Sequence, residues 1–120
     1  MDISTEFPDF DDYNGWWSLF FKLKEHGFKD ECWHNETCPQ VCKNIPTAKH
    51  PERFVRVWLD WKDPDRSEIY PFYKKHDPKY KRYVVQCGNE YGDGVFLDLM
   101  LDNEDDAVRY AKQVATVFCE

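Results

Sequence analysis

Apolar residues follow two different periods along this chain. Over 54–61 they alternate, which places Val55, Val57, Leu59 and Trp61 on one face, the period of a strand. The alternation returns over 80–87, where Lys81, Tyr83, Val85 and Cys87 stand opposite Tyr80, Arg82, Val84 and Gln86. It is cleanest over 95–102: Val95, Leu97, Leu99 and Leu101 form an aliphatic face against Phe96, Asp98, Met100 and Asp102. Gly88, Asn89 and Gly92-Asp93-Gly94 mark the hairpin loop between the last two strands. Asp63-Pro64-Asp65-Arg66 reads as a type I turn. A shorter strand is expected over 68–72, where Pro71 confines it to an edge or ends it.

The helical period appears at the two ends. A first helix is predicted over 12–26, capped by Asp11 or Asp12 and stopped by Gly27, a residue that enters the left-handed region without steric cost. Its Tyr13, Trp16, Trp17, Phe20, Phe21 and Leu23 exceed one narrow stripe, so the helix is either largely buried or displays an aromatic face. A last helix follows Asn103, a good N-cap, with Glu104, Asp105 and Asp106 complementing its positive end. Ala107, Ala111, Val114 and Phe118 make its apolar stripe.

Between the first helix and 54–61, the sequence suggests a short strand over 28–34 and an irregular, cysteine-bearing loop. The expected architecture is a two-layer α+β domain: a three- or four-stranded antiparallel sheet with an N-terminal and a C-terminal helix on one face. With 120 residues, no repeat and no Gly/Ser linker, 1–120 reads as one domain, with 1–11 as a flexible acidic arm.

Charge sharpens the picture. The formal net charge is −7, and it is unevenly spread. Five acids and no Lys or Arg occupy 1–21, eight acids and two bases occupy 84–120, and five bases and one acid occupy 74–83. An acidic field repels nucleic acid and attracts basic partners. No apolar run approaches the roughly 18 residues of a membrane helix. The acidic N-terminus lacks the apolar region of a secretory signal. The odd cysteine count, five, then suggests reduced thiols and a cytoplasmic setting.

Three groups of residues could carry chemistry. Cys32, His34, Cys38 and Cys42 lie within eleven residues, the ligand types of a structural zinc, the one cofactor the sequence admits, although the C-x2-C knuckle is missing. Tyr73, Lys74, Lys75, Lys79, Lys81 and Arg82 mix cations with an aromatic ring, as an RNA-contacting groove does. Asp9, Asp11, Asp12, Asp98, Asp102, Glu104, Asp105 and Asp106, with Trp16, Trp17 and Trp58 as apolar anchors, could engage a protein with a basic groove by imitating a phosphate backbone. No phosphate loop, nucleophile elbow, zinc-protease helix or EF-hand loop is present, so catalysis is not expected.

In size, acidity and want of a catalytic signature the chain is similar to phage-encoded proteins that disable bacterial defence enzymes, anti-CRISPR proteins among them. The likeness is one of character and carries over no residue. It implies an inhibitor or adaptor acting in the cytoplasm of a bacterial host on a basic, nucleic-acid-handling protein. A zinc-stabilised or RNA-contacting module built on 32–42 and 72–83 is the second expectation, and a small enzyme or ligand-binding domain is the third.

Overall fold

The computed structural model describes residues 3–32, 38–67, 81–89 and 94–118. Five strands form one sheet in chain order: β1 (Lys29–Asp30), β2 (Gln40–Asn44), β3 (Phe54–Leu59), β4 (Tyr83–Gly88) and β5 (Val95–Leu101). Each is antiparallel to the next. Helices α1 (Ile3–Glu6) and α2 (Tyr13–Lys24) precede the sheet, and α3 (Glu104–Val117) follows it. The α+β class and the helix at each end agree with the sequence; the strand count does not, being five in place of three or four.

The extra strand is β2, in the stretch expected to be an irregular loop. Its residues pair with β3 from Gln40↔Trp58 to Asn44↔Phe54. The sequence conceals it because its buried positions are partly polar: Gln40 and Cys42 are almost fully covered. Gln40 tolerates this because its Oε1 accepts a hydrogen bond from Trp58 Nε1 at 3.2 Å. The strand expected over 28–34 is only the two-residue β1, and the one expected over 68–72 lies outside the described residues.

Alternation gives the sheet two distinct faces. Val41, Val55, Val57, Leu59, Val85 and Cys87 point to the helices and share one core with Trp16, Leu19 and Leu23 of α2 and Ala107 and Ala111 of α3. Leu97, Leu99 and Leu101 of β5 pack against it from the edge. On the opposite face, register aligns Cys42, Arg56, Gln86 and Asp98 across four strands. Arg56 is 6% exposed; its Nε donates to Gln86 Oε1 at 2.6 Å, and its guanidinium lies 4.6 Å from the Trp58 ring centroid and 5.2 Å from that of Phe54. A charge buried this deeply persists only with such partners. Strands β3 and β4 are thus buried on both faces, which period-2 alternation alone does not reveal.

Local signals set the helix ends. Asp12 Oδ1 accepts from Gly15 N at 3.0 Å and caps α2. At its other end Gly27, with φ +88°, donates to Lys24 O, and Phe28 N donates to Leu23 O. These two bonds make a Schellman motif, whose accompanying apolar contact joins Phe28 and Leu23 in the core. Asn103 Oδ1 accepts from Asp106 N at 2.8 Å and starts α3. Arg66 N donates to Asp63 O, closing the predicted turn as a 3-10 turn over Pro64–Arg66.

The acidic arm expected over 1–11 is instead part of the body over residues 3–11. Ile3, Phe7 and Phe10 enter the core. The Phe10 ring lies 5.1 Å from Trp61, and Tyr13 Oη donates to the carbonyls of Phe7 and Pro8. Asp11 accepts from the backbone N–H groups of Lys62 and Asp63. The apolar residues at 3, 7 and 10 fall at helix-like intervals, and burying them outweighs the tendency of the intervening acids to keep the segment in water.

Candidate functional site

Five aromatic residues occupy 12–26, and α2 sorts them by angle. Trp16 faces inward and is fully buried with Leu19 and Leu23. Trp17 is 40% exposed and Phe21 56% exposed. They stand one turn apart, at the i, i+4 spacing that brings side chains together, and their rings stack at 5.5 Å with an interplanar angle of 28°. Phe20 joins them from the half-buried side, 5.9 Å from Trp17 and 6.1 Å from Phe21. The helix therefore displays a rigid apolar patch on its outer surface, of the kind that anchors protein interfaces.

A second side of α2 meets the acidic start of α3. Glu104 Oε2 accepts from Ser18 Oγ at 2.8 Å and from Lys22 Nζ at 2.5 Å. Lys22 also reaches Asp105 Oδ1 at 3.5 Å, yet Asp105 keeps 92% of its side chain in solvent. This contact joins the middle of α2 to the first turn of α3. The Tyr83 hydroxyl is shifted above its ordinary pKa first by burial and then by the charges of Glu104 and Asp12, against the opposing pull of Arg82 and Lys22.

The expected acidic contact set divides into two kinds. Asp11, Asp12, Glu104 and Asp106 are engaged within the fold: Asp12 caps α2 and pairs with Arg82, and Asp106 pairs with Arg109 at 2.9 Å. Asp9, Asp98, Asp102 and Asp105 are exposed, although Asp102 accepts from Asn103 Nδ2 and Asp105 from Lys22 Nζ. Among the expected anchors only Trp17 is exposed. Trp16 is interior, a correction that follows from its position at the centre of the inward stripe, and Trp58 is half-buried against Arg56. Phe21 was missing from the expected set; its signal was the i, i+4 spacing from Trp17.

No protein-family model, curated protein or solved structure matches the chain. The site must be read from its own chemistry.

The cysteines expected to hold zinc are split by the sheet. Cys32 belongs to the helix-side core, whereas Cys38 packs with Val84, Trp58 and Met100 of the opposite face. Cys42 lies in the same cross-strand row as Arg56 on that opposite face. His34 lies outside the described residues. Among the described residues no three His, Cys, Asp or Glu side chains gather into a metal-binding group. The Cys32 thiol is pushed far above its ordinary pKa, first by burial and then by Asp30.

Of the basic-aromatic set, Tyr73, Lys74, Lys75 and Lys79 lie outside the described residues. Arg82 is half-buried and occupied: Nη1 pairs with Asp12 at 2.8 Å, and Nε and Nη2 donate to the carbonyl of Asp60. Its guanidinium is a structural clamp and not a free phosphate contact. Lys81 is half-buried.

Proposed function

We propose that the protein is a non-catalytic binding module, an inhibitor or adaptor that docks on a basic, nucleic-acid-handling protein. The stacked, exposed pair Trp17 and Phe21 carries this reading. Their rings supply apolar area held at low entropic cost, the property that makes aromatic residues dominate interface energetics. The net charge of −7 and the exposed Asp9, Asp98, Asp102 and Asp105 favour a partner of opposite sign and speed encounter with it.

The test is capture from a nuclease-treated bacterial lysate with three baits: the native chain, the Trp17→Ala/Phe21→Ala variant and the Asp102→Lys/Asp105→Lys variant. A basic protein retained by the native bait, released at high salt and lost from both variants supports the reading. Equal retention by all three baits removes the docking role from this surface.

A further inference from the structure

A cleft of about 370 Å³ lies where the Schellman turn after α2, the end of β2 and the last turns of α3 converge, and neither Trp17 nor Phe21 lines it. His26, Lys43 and Lys112 line its polar side; Phe28, Ile45 and Ala115 form its floor. Among the described residues no carboxylate lines it, although acids outnumber bases by 23 to 16 in the chain. Neither Lys43 nor Lys112 has an ion pair among the described residues, whereas Lys22, Arg82 and Arg109 each hold one.

We infer that this cleft binds a small organic anion, a phosphate or carboxylate head joined to a flat apolar body. Two lysine ammoniums are strong point-charge partners for such a head. The half-buried stem of Lys43 crosses Gly27, whose missing side chain gives it room: a Cβ there would lie 3.3 Å from Lys43 Cε. The left-handed Gly27 thus brings Lys43 and His26 to one rim while Lys112 faces them from α3. The apolar floor receives the body, and the volume falls within the range of small-molecule sites.

The carboxyl end of α3 lies close by and would repel an anion. At that end the cap carbonyl of Phe118 accepts from Arg53 Nη1, which adds a third cation beside the helix terminus. Lys43 and Lys112 bring two positive charges to the cleft itself. A shallower surface hollow at Arg109, Gln113 and Val117 shares Lys112 and Thr116 with the cleft.

The experiment is a titration of the full chain with phenyl phosphate, followed by amide NMR, with inorganic phosphate and benzyl alcohol as the head alone and the body alone. Saturable shifts centred on His26, Lys43, Asn44 and Lys112 are expected, with affinity at least tenfold above either fragment. Lys43→Gln with Lys112→Gln should weaken binding at least tenfold, while Lys62→Gln, an exposed lysine elsewhere, leaves it unchanged. Shifts that do not saturate, that scatter over the surface, or that survive the double substitution overturn the site. Equal affinity for inorganic phosphate overturns the apolar part of the assignment. Neither result bears on Trp17 and Phe21, so this inference and the docking role fail separately.

Discussion

Arg82 ties the start of α2 to the strand end at Asp60: its Nη1 lies 2.8 Å from Asp12 Oδ2, while Nε and Nη2 close on the Asp60 carbonyl at 3.1 and 2.9 Å. The same Asp12 caps α2 through its other oxygen. Asp60 is itself buried, and Ser67 Oγ donates to its carboxylate. One arginine therefore joins a helix cap, the end of β3 and the segment leading into β4.

Asp12 should titrate with the fold. Burial alone raises its pKa, but the hydrogen bonds from Arg82 and Gly15 and the Arg82 charge outweigh it, leaving a net value below 3.8. A carboxylate with a depressed folded pKa contributes stability that is complete above its unfolded value and is lost as pH falls through the folded one. Asp12→Asn keeps a capping side chain and removes the charge, so it should cost about 1 kcal/mol near neutral pH. The difference from the native protein should shrink as pH falls below that ordinary value. Urea melts across that interval measure it; a constant difference refutes the assignment.

Gly15 should resist an otherwise stabilising change. In a helix, Gly→Ala gains roughly 1 kcal/mol. Here a Cβ on Gly15 would collide with the Asp12 carboxylate. Gly15→Ala alone should leave the melting temperature no higher than native. In an Asp12→Ala background, where the collision is absent, it should raise it.

Trp16 fills the centre of the core, yet its Nε1 has no hydrogen-bond partner among the described residues. Trp16→Ala should cost about 3–5 kcal/mol by opening a cavity. Trp16→Phe loses less area and removes a buried, unsatisfied donor, so it should cost no more than about 1–2 kcal/mol. Comparable losses for both in denaturant melts would show that the indole nitrogen has a partner.

Much of this fold is legible in the chain, and the division has a physical basis. Strand β5 and helix α3 bury one side only, so alternation and the 3.6 period display them directly. The second sheet face is hidden because its buried members include Gln40, Arg56 and Gln86, which only their mutual hydrogen bonds and aromatic neighbours make tolerable. Strand β2 is hidden with them. For the site, sequence picked out Trp17 but also Trp16, because density of aromatics does not tell the inward side of α2 from the outward one. The cleft is invisible in sequence because Lys43 and Lys112 meet only after the sheet and α3 have formed.

The thiols offer a check on burial. Cys32, Cys38, Cys42 and Cys87 are all buried. Burial raises the pKa values of Cys32 and Cys87; Asp30 adds to the effect at Cys32, and Arg53 partly offsets it at Cys87. Since the thiolate is the nucleophile, both should escape iodoacetamide at about pH 8 in the native protein and react fully in denaturing guanidinium. Peptide mapping by mass spectrometry reads this; rapid native labelling of Cys32 would show that the β1–β2 region opens.

The strictly sequential sheet also governs how the chain matures during synthesis. Each strand can pair with the one just made, but the aliphatic side of β3, β4 and β5 lacks the cover that α3 gives it until Glu104–Val117 has emerged from the ribosome. Completion of the last helix is therefore the event that ends exposure to chaperones and to misassembly.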